Sequence, residues 1–410
     1  YFIFLFTKFL LIIKNFHQLM LINIKRYHST IIINLGKWWG PIDQQPIVAL
    51  HGWQDNAGTF DKLIPLLPSN VAILAIDLPG HGLSSHLPVG QFYYIFWDGL
   101  INLRRVVKHY KWNKVSKQLK VIQRSFIILY PSCKWWGPKG IQPIVALHGR
   151  QDNAGSFDTL IPLLSDKISV LCLDMPGHGL SSHYPKCQYY YVYWDGIILL
   201  RRIVKYFKWT KVKLLGHSLG GAISFLYAAS FPDEVEFMIS LDIASPSVKD
   251  ITKSPDIISD NIDKFLKYES LQSGGIPSYD YNEVLEIVED AYKGSITKEG
   301  AIVLMKRGLR PASEPERYYF SRDPRLKVSA LGMISLDLVL AYASRIKCAY
   351  LNIRAVPGMK FDNPESYEKV LDEIKLGAKR FEYHKVEGTH HVHLNNPERI
   401  APIINNFIST

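Results

Sequence analysis

The residues best suited to chemistry in this 410-residue chain are Gly216-His217-Ser218-Leu219-Gly220-Gly221. They follow the apolar run Lys211-Val212-Lys213-Leu214-Leu215 and precede small and apolar residues from Ala222 to Ala229. A strand, a serine with a glycine two positions away on either side, and a helix make a G-x-S-x-G elbow. The turn is so sharp that side chains at the flanking positions would strike backbone, and the serine itself takes a strained φ/ψ. The hydroxyl is thereby raised above the strand end, with the N–H groups of the helix start pointing toward it. The chemistry this offers is nucleophilic attack beside a donor for a developing oxyanion. A glycine-rich strand-to-helix turn with no chemistry is the plainer reading of the same residues.

The elements around the serine decide between these readings by their order. Gln142 to Leu147 reads as a buried strand that ends in His148-Gly149-Arg150. Val170 to Leu173 is a second strand, running into the turn Asp174-Met175-Pro176-Gly177-His178-Gly179. Asp174 and His178 are read there as groups that brace the turn. Cys348 to Arg354 and Phe381 to Glu387 are further strands, and His390, His391 and His393 follow the last of them. A histidine after the final strand completes the chain order serine, acid, histidine.

On the residues His148-Gly149, Gln151 to Gly155, Asp174 to Ser182, Gly216 to Gly221 and Gly388 to Asn396, the segment 133–410 resembles the α/β-hydrolase superfamily. Within it, the chain is most similar to the serine hydrolase-like proteins of animals. The resemblance implies a mostly parallel, doubly wound sheet with helices on both faces and an inserted helical lid at about 246–330. Helical spacing at Ile257 to Tyr268, Tyr281 to Tyr292 and Thr297 to Lys306 fits that lid. The resemblance also implies Ser218 as nucleophile, with backbone N–H groups of Arg150 and Leu219 as the oxyanion hole. It places the base at His390, leaving His391 and His393 as packing or loop residues. For the acid two positions stay open: Asp242, after the strand that follows the elbow helix, is favoured over Asp362, beyond Pro357-Gly358. The implied activity is hydrolysis of a small or lipid-like carboxylic ester through an acyl-enzyme. A catalytically silent binding protein on the same fold is the alternative. A dehalogenase or epoxide hydrolase is disfavoured, because these need an aspartate nucleophile and Ser218 occupies that place.

Composition narrows the classes further. The net charge is +11, but Lys and Arg are dispersed and form no basic stripe, so no nucleic-acid partner is expected. The four cysteines lack metal-ligand spacing and suit reduced thiols in an intracellular, cytoplasmic protein. No cofactor and no metal is expected. A peroxisomal or membrane-associated location is kept as an alternative, although the chain does not end in Ser-Lys-Leu. The sequence leaves the oligomeric state open.

Residues 38–115 align without a gap to residues 135–212 and are about two-thirds identical to them. This first copy, bounded at 38–118, carries His51-Gly52 and Asp77 to Gly82 but stops before any nucleophile elbow. It reads as a partial duplicate of a hydrolase half, arising first from a fused gene model or an exon duplication; a real accessory half-domain whose sheet edges demand a partner, or a replacement for the second copy in the core, are the alternatives. Ahead of it, residues 1–37 are apolar and then basic, and the apolar run is too short and interrupted for a membrane helix. They read first as an artefactual or disordered extension, and only then as a signal or anchor.

Overall fold

A computed structural model describes residues 19–23, 34–84, 86, 95–109, 131–184, 188–248, 252, 254–271, 276–328, 334–358 and 363–409. The chain divides into two compact units, 1–128 with 185–189 and 129–184 with 190–410.

The first unit carries β1 (Leu19–Asn23), β2 (Asn34–Trp39), β3 (Ile47–Leu50), β4 (Ile73–Ile76) and helix α1 (Ile95–His109). Its sheet runs β1-β2-β4-β3, parallel only between β3 and β4. Strand β1 lies within the N-terminal extension and pairs antiparallel with β2.

The second unit begins with β5 (Cys133–Trp136), β6 (Ile144–Leu147), β7 (Val170–Leu173), α2 (Val192–Tyr206), β8 (Val212–His217), α3 (Leu219–Ser230) and β9 (Val235–Leu241). An insertion then holds α4 (Ser254–Leu271), α5 (Tyr281–Ala291), α6 (Lys298–Gly308) and the hairpin β10 (Leu309–Pro311) and β11 (Tyr318–Phe320). The chain returns through α7 (Leu336–Ala343), β12 (Ala349–Pro357), α8 (Pro364–Gly377), β13 (Arg380–Gly388), α9 (Val392–Asn395) and α10 (Ala401–Ser409). Seven strands form one sheet in the order β13-β12-β9-β8-β6-β7-β5, parallel throughout except for β5. This is the α/β-hydrolase fold, a doubly wound sheet with helices on both faces.

Strand alternation divides the core in two, because successive side chains point to opposite faces. Val145, Leu147, Leu171, Leu173, Leu214 and Met238 pack on one face with residues of α2, α3, α7 and α8. Ile144, Ala146, Val170, Cys172, Leu215 and Ile239 pack on the other, with Ile404 and Phe407 of α10. Parallel strands buried on both faces read as continuous apolar runs, which is why β6, β7 and β8 were visible in the sequence. The insertion has its own small core of Val284, Leu285, Val288, Ala301 and Met305. A capping box, Asp280 with Glu283, starts α5, and the Thr297 hydroxyl caps α6. Among the described residues no helix is long and apolar enough to cross a membrane. Cys133, Cys172 and Cys348 are free thiols, and Cys187 lies outside the described residues.

The sequence repeat is also a structural one. Trp39 pairs with Ile73 as Trp136 pairs with Val170, and Ile47 with Ile73 as Ile144 with Val170. The environments differ at one edge. Strands β3 and β6 are both Ile-Val-Ala-Leu, yet Ile47 and Leu50 are 61% and 44% exposed while Ile144 and Leu147 are 2% and 1% exposed. In the second unit β8 flanks β6, whereas among the described residues β3 ends its sheet. An edge strand of exposed apolar residues is an aggregation hazard. The duplicated sequence therefore supplies a matched test. Ile47→Lys should leave the melting temperature nearly unchanged and raise solubility, whereas Ile144→Lys buries an unpaired charge and should abolish cooperative melting. Equal effects of the two substitutions, read by calorimetry and by soluble yield, would refute this assignment of the edge.

Candidate active site

Strand β8 ends at His217 and helix α3 starts at Leu219, so one residue, Ser218, makes the whole turn. It does so at φ 50° and ψ −117°, a region that non-glycine residues rarely occupy. The neighbouring glycines make this possible. A Cβ on Gly220 would lie 1.9 Å from the Leu147 carbonyl oxygen, and one on Gly216 would lie 2.5 Å from the Gly220 backbone. Only bare backbone lets α3 sit this close to β6 and β8. Ser218 is 8% exposed at the resulting apex.

Asp242 immediately follows β9 and also has positive φ, 51°. Its own N–H donates to the Ile353 carbonyl at 2.7 Å, and its Oδ1 accepts the Ala355 N–H at 2.9 Å. Both partners belong to β12, which runs beyond the end of β9 and braces the carboxylate. Oδ2 is left facing His390, whose Nδ1 lies 2.7 Å away. His390 follows β13, and its carbonyl accepts the Nε2–H of His217 at 2.9 Å. The rings of His217 and His390 are 4.6 Å apart, so the residue next to the serine touches the histidine on Asp242. Burial, with the neighbouring His217 and His391, holds the His390 imidazole well below the ordinary histidine value. The other candidate acid, Asp362, lies outside the described residues.

Leu219 is the first residue of α3, so its N–H is one of the groups at a helix start that lack an intrahelical partner. Arg150 lies in the turn after β6, and its guanidinium donates to the carbonyls of Leu326, at 3.2 Å, and Val328, at 2.6 Å. The arginine thus ties its loop to the far end of the insertion. Arg307 makes a second tie, reaching Asp174 Oδ2 at 2.5 Å and the Ser132 hydroxyl at 3.0 Å. Asp174 also accepts the N–H groups of Ala154 and Leu180, which fixes the two turns flanking it. A third anchor is the buried Asp323–Arg325 pair at 2.7 Å, with the Tyr190 hydroxyl donating to Asp323 at 2.9 Å. A small cleft lies beside the Arg150 loop, between Gln151 and Asp152 on one side and Val288, Tyr292, Met305 and Phe320 on the other.

One constellation escaped the sequence reading, which took His391 and His393 as packing or loop residues. Asp152 Oδ2 lies 3.2 Å from His391 Nε2 and 3.6 Å from His217 Nδ1, and all three residues are buried. Tyr292 donates to Asp152 Oδ1 at 3.0 Å, Ser295 Oγ meets His391 Nδ1 at 2.7 Å, and Ser156 Oγ meets His393 Nε2 at 2.6 Å. Burial works against the Asp152 carboxylate, but His391 and His217 hold it well below the usual carboxylate range. The contributing residues are up to 239 positions apart, and no local spacing signals such a group. The polar triplet Gln151-Asp152-Asn153 after His-Gly was the available hint.

This geometry agrees with what the chain is similar to. A family model described as "alpha/beta hydrolase fold" matches residues 142–272. A "probable serine hydrolase" of Drosophila melanogaster is 51% identical over 275 residues, covering 67% of this chain and 83% of the fly protein. "Serine hydrolase-like protein 2" of Homo sapiens is 30% identical over 296 residues, covering 68% of this chain and 90% of the human one. Among solved structures, a hypothetical protein of Pseudomonas aeruginosa PAO1 superposes with a TM-score of 0.61 at 26% identity, covering 70% of this chain and 99% of that one. The chain belongs to the α/β-hydrolase superfamily, among the serine hydrolase-like proteins.

Proposed function

We propose that this hydrolase cleaves a carboxylic ester, small or lipid-like, through an acyl-enzyme on Ser218. The observation that carries the reading is the buried 2.7 Å contact of His390 Nδ1 with Asp242 Oδ2, adjoining a serine held in a strained elbow. A carboxylate on Nδ1 fixes the imidazole tautomer with its lone pair on Nε2 and stabilises the imidazolium that forms. Ser218 Oγ then attacks the ester carbonyl while His390 Nε2 takes its proton. The oxyanion of the tetrahedral intermediate is held by the N–H groups of Arg150 and Leu219. Collapse breaks the ester bond, and His390 returns the proton to the departing alcohol. Water repeats the cycle on the acyl-serine, releasing the acid.

A fluorophosphonate should label the protein at Ser218, and Ser218→Ala should abolish both labelling and turnover, the latter by about 10⁴-fold or more. A folded parent chain that takes no label would instead support the silent, ligand-holding alternative. Asp242→Asn keeps the volume of the acid but removes its charge, and should lower kcat by on the order of 10⁴. If Asp242→Asn retains the parental rate while Asp362→Asn collapses it, the acid has been misassigned.

The pH profile follows from the direction of the His390 shift. The base must be neutral to accept the Ser218 proton, and its folded value lies well below 6.5. Activity should therefore be fully present at pH 7 and be lost only as the pH falls through that depressed value. The acidic limb of kcat/KM against pH should lie below 6.5, and a limb above 6.5 would exclude the neutral, buried base.

A further inference from the structure

We propose that Asp152, His217 and His391 form a site for one zinc-like divalent transition-metal ion, set behind Ser218. Each residue offers one donor atom, and the three atoms all lie within 4.8 Å of one another. An ion about 2.0–2.2 Å from imidazole nitrogen and carboxylate oxygen holds its donors about 3.3–3.6 Å apart. The separations of 3.2 Å and 3.6 Å from Asp152 Oδ2 to the two ring nitrogens are close to that spacing.

Three further features of the cluster point to a cation rather than to a closed hydrogen-bond network. His217 Nδ1 is buried and faces Asp152 Oδ2 at 3.6 Å, just beyond hydrogen-bond length. Its Nε2–H is committed to the His390 carbonyl, so in the neutral ring the Nδ1 lone pair is directed at Asp152. A lone pair facing a carboxylate is repulsive unless a proton or a metal ion lies between them, and a backbone carbonyl on the opposite nitrogen is the usual support of a metal-bound histidine. His391 is supported likewise, with Ser295 on Nδ1 and Nε2 turned to Asp152, and Tyr292 holds the outer carboxylate oxygen. Finally, the space beside the donors is kept open by a missing side chain. A Cβ on Gly149 would stand 2.5 Å from Asp152 Oδ2 and 2.8 Å from His217 Nδ1.

Two imidazoles with one carboxylate suit zinc and its neighbours rather than magnesium or calcium. The cleft lined by Asp152 and Tyr292 provides a route in. The site is separate from the proposed triad but coupled to it, because His217 adjoins Ser218 and holds the peptide that carries His390. A bound ion would fix that ring.

The test uses the full chain, stripped with a chelator and titrated with zinc against a chromophoric competitor, with cobalt as a spectroscopic probe. One zinc per chain is expected, together with a cobalt visible spectrum of low coordination number. Asp152→Asn and His391→Asn should each weaken binding about 100-fold or more, and Tyr292→Phe about tenfold. His384→Asn, on β13 away from the cluster, should bind as the parent does and so accounts for adventitious surface histidines. The proposal is overturned if the cooperatively melting parent holds no stoichiometric zinc. It is equally overturned if His391→Asn binds zinc as tightly as the parent. Should Asp152→Asn fail to melt cooperatively, His391→Asn and the cobalt spectrum of the parent decide. None of these readouts requires ester turnover, so the site and the proposed hydrolysis can fail independently.

Discussion

The hydrogen bond between His390 and Asp242 joins residues 148 positions apart, and the parallel register of three strands makes it possible. Leu241 stands opposite Ile353, and Pro357 stands opposite Gly388. Strand β9 therefore stops four residues short of β12, while β13 ends level with it. Asp242 turns off at the step this creates and is braced by backbone of β12, and His390 comes back over the same edge. A slip of one residue would turn every side chain of a strand to the other face. The apolar alternation that buries β9 and β12 is thus what sets the distance between carboxylate and imidazole.

Backbone strain at the site has the same origin. Ser218 and Asp242 both sit at positive φ, 50° and 51°, conformations that cost on the order of 1–3 kcal/mol each. Both lie one residue beyond buried, adjacent parallel strands, β8 and β9, whose pairing dictates where the chain must turn. The strain is local and the burial is distributed, so the sheet holds both residues where relaxed loops would not.

How much of this was legible follows from the range of each interaction. The elbow could be read because strand, glycines and helix are contiguous and each glycine has a steric reason to be there. Strands β6, β7, β8 and β12 could be read as largely apolar runs and β13 by its alternation, with ends displaced by up to three residues from the hydrogen-bonded ones. The first helix of the insertion is displaced by three residues at each end: the apolar spacing marked Ile257 to Tyr268, but the helix extends over Ser254–Leu271 because the mostly polar turns at its ends carry little apolar signal. The choice between Asp242 and Asp362 could not be made from spacing, since it depends on which strand end faces β13. Nor could the role of Arg150 be read: its side chain acts 176 and 178 positions away, on carbonyls of the insertion.

The repeat shows how little of burial belongs to the residue alone. Ile-Val-Ala-Leu is the same tetrapeptide in β3 and β6, with the same partner strand on one side and the same register. The second copy gains β8, and with β8 come the elbow helix and the whole C-terminal half of the sheet. Gly220 can approach the Leu147 carbonyl only because β6 is an interior strand there. Among the described residues Leu50, the counterpart of Leu147, has no such neighbour. What separates a site from its duplicate is therefore not the His-Gly or Asp-x-Pro-Gly turns, which both copies retain. Among the described residues the difference is the presence of a strand that converts an exposed edge into the floor beneath Ser218.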